Sequence, residues 1–551
     1  MKNTILFFLM VIVLSAQGQS PLTSGYFNYH LTDRLEIMQD SLPSELHSST
    51  KPYRRDVVSA FNENLNTLSS IDDFNKRYIL TDNILFSSQD YSFRKKPILS
   101  HFYKTQSALF IVKQKNFKLV VNPLIGFAGG SDSHDSLPIY RNSRGLDLRG
   151  NIGNKVGFYT HIIENQVQYP SFMRQRHAET RVVNGTTLHK GFGEAAEDYF
   201  NASGYITFSP INEISVQFGH DKNFIGNGYR SLILSDFSAP YPFLKLNTQV
   251  WKFNYQNLFS QHIDFIKQGE STTNGRKYSA FHHLSVNIGK SLNIGLFENI
   301  VFDRSDSTES DRFEVSYLNP LIFYRAVEHG LNSSDNAILG MDWKWNFLNR
   351  FSLYGQFVLD EFSKDEMFGR TKSWVNKWGY QAGLKYINVA NINNLDLQLE
   401  VNQLRPYFFQ HRSKSQNWVH YNQSLAHPLG ANMRELLAII KYQPIDRLRL
   451  NATYSFSKQG IDSSSTSINY GGNYLRTYDN KPSGAIPMFS GIENTISAIS
   501  LDAHYMLWHN LFLDAGVYIR NQKNDFMTED RKNTIYRFGL RLNLAALDYR
   551  Q

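Results

Sequence analysis

Apolar and polar side chains alternate along most of the chain. In residues 394–402 (NLDLQLEVN), leucine or valine occupies every second position, and polar or charged residues lie between them. The stretches 447–457, 499–507 and 536–544 repeat this pattern. A period of two is that of a β-strand with one apolar face and one polar face. Most of the chain is therefore predicted to form β-strands.

The length and the connections of these strands favour a membrane barrel over a soluble sheet. The alternating stretches run for about ten residues or more, whereas strands in soluble sheets are usually about five to six residues long. Short turns, such as Gly153-Asn154, Pro444-Ile445 and His509-Asn510, alternate with long polar and aromatic loops. Outer-membrane barrels have this asymmetry, with short periplasmic turns and long outer loops. A β-sandwich shows the same local alternation, but a closed barrel also satisfies its backbone groups in lipid.

The predicted fold class is an all-β membrane protein, a closed antiparallel transmembrane β-barrel of about eighteen strands. Bacterial single-chain barrels have even strand numbers, which decides two ambiguous stretches. The apolar stretch 243–259 is split at Val250-Trp251, and residues 107–113 are assigned to the lead-in rather than to the wall. The predicted strands are 117–128, 144–151, 155–166, 198–208, 213–219, 242–249, 252–260, 278–289, 292–302, 337–347, 350–362, 377–388, 394–404, 434–443, 446–458, 494–506, 510–521 and 532–544.

The first eighteen residues are predicted to be a signal peptide. Lys2 provides the positive start, Ile5 to Leu14 is an unbroken apolar run, and small residues stand at Ala16 and Gly18. Signal peptidase reads such a pattern, so cleavage is expected before Gln19. The run is too short to span a membrane. No other stretch of the chain reaches 18 consecutive apolar residues.

Residues 19–105 are predicted to form a small helical segment, and residues 106–551 the barrel. Val57, Val58 and Phe61 recur at helical spacing, and two further groups of apolar residues before position 80 do the same. A barrel of this width encloses space that must be filled or left wet. We therefore expect the helices at or inside the periplasmic mouth, as a plug; a free periplasmic domain is the alternative.

Composition and charge narrow the chemistry. The chain has 551 residues, 14% aromatic and 19% charged, and a net charge of +8. Its ample apolar surface excludes disorder. It has no cysteine, which excludes disulfides, thiolate catalysis and lipoprotein anchoring through an N-terminal cysteine. The lysines and arginines form no cluster of the kind that binds nucleic acid. The net positive charge therefore suits a partner such as anionic lipid or acidic polysaccharide.

One loop resembles a known family. Residues 226–235 read GNGYRSLILS, which is similar to the G-x-G-x-x-S-L-I-L-S pattern of the Wzi-type capsule-assembly barrels. The residues that carry this motif are Gly226, Gly228, Ser231 and Leu234. Residues 318–320 and 427–432 also resemble this family, and the run from Lys245 is similar to gliding-motility proteins of the RemB type in the Bacteroidetes.

The resemblance carries expectations about fold and role. It implies an 18-stranded barrel in the outer membrane, with a helical bundle on the periplasmic side. It also implies a role at the cell surface that involves extracellular polysaccharide.

Catalytic and metal-binding arrangements find little support in the sequence. Gly226-Asn227-Gly228 lacks the lysine and the following helix of a phosphate-binding loop. His329 lies near Ser333 and Ser334, but no acidic residue is placed to orient it. His282 and His283 are neighbours on one strand and must point to opposite faces, so they cannot share a metal. We therefore expect no catalytic residue, no metal and no cofactor.

A carbohydrate site is the most favoured chemistry. Several loops on the predicted outer side combine aromatic rings with cationic side chains. A pyranose stacks its apolar face on a ring, and an acidic sugar pairs with arginine or lysine. The alternative is that these rings form the outer aromatic girdle or pack within the loops. The candidate residues are Trp374, Arg405, Arg412, Trp418, Tyr421 and Tyr474.

The sequence thus predicts a non-enzymatic outer-membrane barrel that acts at the cell surface. Its expected role is attachment or assembly of capsule or exopolysaccharide, or gliding motility, or both. Its expected partners are the lipid bilayer, extracellular polysaccharide or surface adhesins, and components of motility or secretion machinery. A diffusion channel and an accessory subunit of an outer-membrane secretion complex remain as alternatives.

Overall fold

The computed structural model describes most of the chain beyond residue 27. The described residues are 28–65, 69–92, 103, 105–153, 155–264, 275–304, 312–320, 324, 335–360, 374–375, 377–463, 467–527 and 529–549. The predicted signal peptide, residues 1–18, lies outside the described residues, as do His329, Ser333 and Ser334.

Within the described residues, eighteen long antiparallel strands form a closed barrel, which confirms the predicted fold class. Each strand pairs with its neighbours in the chain, and β18 pairs back with β1 along Ile535–Leu542 and Ile125–Asp132. The strands are β1 Phe117–Asp132, β2 Asp135–Ile152, β3 Val156–Gln168, β4 Ala196–Ile211, β5 Ile214–Asp221, β6 Tyr241–Val250, β7 Phe253–Asp264, β8 Gly275–Ile288, β9 Leu292–Phe302, β10 Asn336–Phe347, β11 Phe351–Asp360, β12 Lys377–Tyr386, β13 Leu395–Leu404, β14 Met433–Ile445, β15 Leu448–Ile461, β16 Ile492–Trp508, β17 Leu511–Asn524 and β18 Arg531–Leu542.

The lead-in residues add a short strand to the barrel rather than a nineteenth wall strand. Phe110–Gln114 pairs with Phe117–Val121, the part of β1 that lies beyond the end of its pairing with β18. It therefore extends the sheet at the end with the short turns, and the parity argument that separated residues 107–113 from the wall gave the right strand number.

One predicted loop does not exist. The sequence pattern left residues 129–143 outside the strands, but β1 and β2 continue through this stretch and are joined by Ser133 and His134 alone. The outward-facing ion pair between Arg144 and Glu164 (3.0 Å) marks where the lipid-facing band ends on this side. Above that level both faces of a strand meet polar surroundings, so the apolar alternation fades although the strand continues.

The outer wall is apolar and is edged by aromatic rings. Outward residues such as Phe218 and Phe538 are 67% and 62% exposed, as expected of side chains that face lipid. Near the short turns, the ring of Trp345 stacks on Phe347 and the ring of Phe351 on Tyr386. Among the described residues, no helix is both long enough and apolar enough to cross a bilayer.

In the described part of the chain, three helices occupy the barrel at the end with the short turns. They are α1 Asn28–Ile37, α2 Arg55–Glu63 and α3 Ser70–Asp82; a fourth, α4 Ser171–Thr180, lies in the loop after β3. Leu31, Val58 and Ile79 form an apolar core that continues onto the inward-facing Met506 and Phe512 of the wall. The helices therefore pack against the inner surface of the barrel.

Buried ion pairs fix this helical unit to the wall. The Arg34 guanidinium lies between Asp72 of α3 and Asp396 of β13. Lys385 of β12 pairs with Asp33 of α1 at 2.8 Å. Burial acts to raise the pKa of Asp33, but the Lys385 ammonium holds that pKa below its usual range. A buried charge that loses its partner destabilises the fold, so these pairs favour a single position of the helices against the wall.

Candidate functional site

The loop between β5 and β6 dips into the barrel and meets the helical unit. Its two-residue strand Phe224–Ile225 pairs with Thr50–Lys51, which lies between α1 and α2. The Gly226 N–H donates to the Ser49 carbonyl at 2.7 Å. The family motif predicted from the sequence therefore lies in the lumen, where a loop from the outer end touches the plug from the other end.

Glycine is required at the two motif positions for different physical reasons. Gly226 has a φ of +141°, a backbone conformation that side chains rarely adopt. Gly228 is required by close approach: a Cβ there would lie 2.6 Å from Glu400 Oε2 and 2.8 Å from the Arg230 carbonyl oxygen. The G-x-G spacing is thus explained by one strained turn and one contact with a carboxylate.

That carboxylate anchors the loop to the wall. Glu400 accepts hydrogen bonds from the backbone N–H groups of Tyr229 (2.7 Å) and Arg230 (3.0 Å) and from the Tyr354 hydroxyl (2.8 Å). The Arg230 side chain reaches Glu435 of β14 with two bonds of 3.1 Å. Burial acts to lower the pKa of Arg230, but Glu435 raises it above its usual value, so the guanidinium stays charged.

Ser231 and Leu234 complete the turn. The Ser231 hydroxyl donates to the Ile225 carbonyl and accepts from the N–H groups of Ile233 (3.1 Å) and Leu234 (3.3 Å). The Leu234 carbonyl accepts from the Ile225 N–H at 2.9 Å. A hydroxyl can donate and accept together, which explains a serine at this position.

Loops from the outer end form an apolar core above the motif, and two predicted sugar-contacting residues belong to it. Trp418 is 2% exposed, and its Nε1–H donates to the Ile233 carbonyl at 3.0 Å. Tyr474 packs on Gly430, where a Cβ would lie 2.1 Å from the tyrosine ring. For these two residues the alternative of packing within the loops describes the structure, because neither ring is open to a sugar.

Between the motif loop and α1 lies a polar cavity of about 460 Å³. Asp33, Lys51, Arg230 and Lys385 are among the residues that line it. Charges of both signs face the cavity, so it is suited to water and to the ion pairs that hold the helices. The outer loops above it and the helices below it fill the lumen on either side.

Trp374 lies in a group of rings and cations at the outer end, which we call the outer patch: Trp374, His411, Tyr478 and Lys481. The rings of Trp374 and Tyr478 are 5.1 Å apart, and the Lys481 Nζ lies 4.2 Å from the centre of the Trp374 ring. His411 lies 6.2 Å from Tyr478. Trp374, Tyr478 and Lys481 are half-buried, which leaves part of each surface open.

The other predicted residues are spread around the outer loops. Arg412 is exposed and follows His411 of the outer patch in the chain. Arg405 is half-buried above the Trp378 ring, and burial lowers its pKa. Tyr421 binds through its N–H to the Ile263 carbonyl at the end of β7. Since the outer patch lies beside β12, five strands from β7, Tyr421 belongs to another part of the rim.

Three members of the outer patch were missing from the predicted set. Tyr478 and Lys481 lie in the loop between β15 and β16, and His411 in the loop between β13 and β14. Lys481 carried no sequence signal, because an isolated lysine in a polar loop is ordinary. Its position over a ring depends on how two loops meet.

Comparisons with known proteins agree with this architecture. The family model described as capsule assembly protein Wzi matches residues 140–535. Among solved structures, Wzi of Escherichia coli is similar over 96% of this chain and 100% of its own, with a TM-score of 0.58 and 13% identity. None of the curated proteins matches the chain.

Two porin-like barrels are more distant. OprD of Pseudomonas aeruginosa is 10% identical, with a TM-score of 0.41 over 77% of this chain and 94% of its own. OccAB2 of Acinetobacter baumannii is 9% identical, with a TM-score of 0.43 over 77% and 97%. These two likenesses are too weak to bear on the assignment. Because the family model spans well over half of the chain and the barrel matches, the protein belongs to the Wzi capsule-assembly family of outer-membrane β-barrels.

Proposed function

We propose that this protein holds extracellular polysaccharide at the cell surface during the attachment or assembly of capsule or exopolysaccharide, without catalysing a reaction. Membership of the Wzi family supports the proposal. So does the description of the Escherichia coli Wzi as a carbohydrate-binding barrel involved in capsule assembly. The observation that carries the proposal is the outer patch, where Trp374, Tyr478 and Lys481 meet above a lumen filled by the motif loop.

The chemistry of the outer patch suits a polysaccharide that carries acidic sugars. Each well-placed ring contributes about 1 kcal/mol when a sugar face replaces water on it. The Lys481 ammonium adds about 0–1 kcal/mol by pairing with a sugar carboxylate at the surface. Together, the loss of one ring and the cation is expected to weaken binding by about 1–2 kcal/mol, or roughly fivefold to thirtyfold.

A double substitution tests the proposal. W374A with K481A is expected to lower the affinity of the purified barrel for the polysaccharide of its own cells by roughly fivefold to thirtyfold and to reduce retention of that polysaccharide by cells. The matched control is W251A with K252A, which removes the same residue types, 5.3 Å apart, at the end with the short turns. Heat-modifiable gel mobility reports assembly of both variants. Equal binding by both double variants would reject the outer patch as the binding surface.

A diffusion channel is a weaker proposal for this chain. The motif loop, the outer loops and α1–α3 all lie within the barrel, and their wall contacts include the buried Glu400 and Arg34. A filled lumen favours a surface role over transport, and purified protein in planar bilayers is expected to pass little current. Stable open conductance of porin size would favour the channel instead.

Gliding motility and the RemB-type likeness are narrower forms of the same proposal. A protein that holds polysaccharide or surface adhesins would couple the cell to the material around it, and cells that carry W374A with K481A would then spread less on a surface. Association with secretion or motility machinery would appear as co-purification with a second outer-membrane complex.

A further inference from the structure

Two polar side chains stand on the lipid-facing side of the barrel wall. On β9, Leu296 faces outward and is 50% exposed. Glu298, two residues further along, shares that face, and its register partner on β8 is His282. Glu298 is 7% exposed and His282 is fully buried, although both lie in the middle of their strands. Something must cover them, because a carboxylate and an imidazole are costly in lipid.

The cover is a segment from the loop between β9 and β10, which we call the strap: residues 312–320 together with Tyr324. The Tyr324 N–H donates to Glu298 Oε2 at 2.6 Å, and the Tyr324 hydroxyl bonds to His282 Nε2. On its other side, His282 Nδ1 lies 3.0 Å from the Tyr255 hydroxyl of β7. Both wall residues therefore have partners on the outer surface of the barrel.

Aromatic packing fixes the upper part of the strap to the same surface. The Phe302 ring at the end of β9 lies 5.3 Å from Phe313 and 4.8 Å from Tyr317. Ile300 and Phe302 are fully buried, whereas outward residues elsewhere on the wall are about half exposed. The strap thus takes the place that lipid occupies on the rest of the barrel.

Carbonyl groups of the strap backbone have hydrogen-bond partners, as an apolar environment requires. The Tyr324 hydroxyl lies within hydrogen-bond distance of the Tyr317 carbonyl oxygen (2.8 Å) and the Asn319 carbonyl oxygen (3.0 Å), and the Tyr255 hydroxyl donates to the Pro320 carbonyl. Irregular backbone occurs at membrane depth only where it is buried against protein, so these bonds and the packing of the strap on the wall are required for the strap to lie there. Above, Arg304 pairs with Asp335 at 2.7 Å, where the strap's loop leaves β9 and enters β10.

The exposed side chains of the strap include two large apolar ones, beside the exposed Ser316 and Asn319. Val315 is 69% exposed and Leu318 42%. From these contacts we infer that the strap lies in the outer leaflet rather than in the aqueous layer of outer loops, with Val315 and Leu318 against lipid acyl chains. It shields Glu298 and His282 from those chains. This interaction surface is independent of the outer patch and of polysaccharide binding.

The absence of cysteine makes a direct test simple. V315C and L318C are each labelled with a fluorescent maleimide and placed in phosphatidylcholine vesicles. Two controls carry the same label: L296C on the lipid-facing wall and R412C on an exposed outer loop. Quenching is measured with aqueous iodide and with lipids that carry a nitroxide on the acyl chain. Heat-modifiable gel mobility shows that each variant has assembled.

The labels on the strap are expected to behave like the label at position 296. Acyl-chain nitroxide should quench them, and iodide should quench them about tenfold less than the label at position 412, because iodide does not enter the hydrocarbon region. Quenching by iodide at the level of position 412 would overturn the inference. So would labels that neither quencher reaches, since the strap would then be covered by protein rather than by lipid.

Discussion

Replacing Gly228 by alanine tests whether the motif loop is held by close contact with the wall. The added Cβ would lie 2.6 Å from Glu400 Oε2, 2.7 Å from Gln381 Oε1 and 2.8 Å from the Arg230 carbonyl oxygen. The Gln381 amide is held in place because its Nε2 donates to the Arg230 carbonyl (2.9 Å) and to Asn402 Oδ1 (2.8 Å). Glu400 is bonded to Tyr354 and to two N–H groups of the loop, and the Arg230 carbonyl is backbone. The loop itself must therefore move.

The expected loss follows from what that movement breaks. Overfilling a packed site costs about 1–3 kcal/mol. A hydrogen bond to a charged group is worth about 1.5–3 kcal/mol, and displacement of the loop weakens at least one of the two N–H bonds to Glu400. The bound form of the loop is thus expected to lose about 3 kcal/mol, which raises the population of its open form by roughly a hundredfold.

Limited proteolysis measures this change. Trypsin cuts after Arg230 when the loop opens, and its rate tracks the open population when opening is fast relative to cleavage. G228A is expected to be cut roughly a hundred times faster than wild type. The control is G191A, because a Cβ at Gly191 would meet no atom within 4 Å. If both variants are cut at rates within twofold of each other, Gly228 does not hold the loop by contact.

Two further predictions concern the outer loops and the helical unit. Burial lowers the pKa of His420 from its usual value of about 6.5 to about 3, and its Nδ1 accepts from the Ile263 N–H at 2.9 Å. Between pH 6.5 and 3, His420 is therefore protonated when the loops are open and neutral when they are closed. As the pH is lowered through this range, the free energy of opening of residues 405–432, measured by their protease resistance, should decrease by about 1.4 kcal/mol per pH unit. H420Q should flatten this pH dependence. R34M leaves Asp72 and Asp396 buried without their guanidinium and should destabilise the helices by about 3–5 kcal/mol, as measured by hydrogen exchange. The control R54M breaks a pair with Asp56 at the surface of the helical unit and should cost about 1 kcal/mol or less. Equal losses of stability in the two variants would refute the role given to Arg34.

The wall was predictable because its physics is local. Lipid on one side and a polar lumen on the other impose a period of two on every strand, and short turns close one end. The start of β2 shows where this signal stops. Residues 135–143 are strand, but they lie above the lipid-facing band, where no apolar face is needed. The sequence therefore predicted the strand from residue 144 onward and missed its upper part.

The arrangement of the outer loops was not predictable, because it depends on contacts between residues far apart in the chain. Trp418 and Trp374 looked alike in the sequence, as rings beside cations in polar loops. Trp418 is buried because its indole N–H binds the Ile233 carbonyl, nearly two hundred residues away. The motif glycines were noticed through a family resemblance, whereas their reason, the Glu400 carboxylate on a later strand, is visible only in the fold.

The junction between β18 and β1 has a consequence for how the ring closes. It joins Asp132 to Ile535, about 400 residues apart, so closing it costs about 3 kcal/mol more in chain entropy than closing a hairpin of ten residues. It is also incomplete, since the lower part of β1 pairs with Phe110–Gln114 instead. Asn543, just after β18, bonds to the Pro123 carbonyl at 2.9 Å across the gap.

This junction is therefore expected to close last in assembly and to part first under load. The short strand Phe110–Gln114 and the residues after β18 then stabilise it from either side. The mechanical stability of the barrel is set at this junction, by a few residues outside the eighteen strands, rather than by the long hairpins that make up most of the wall.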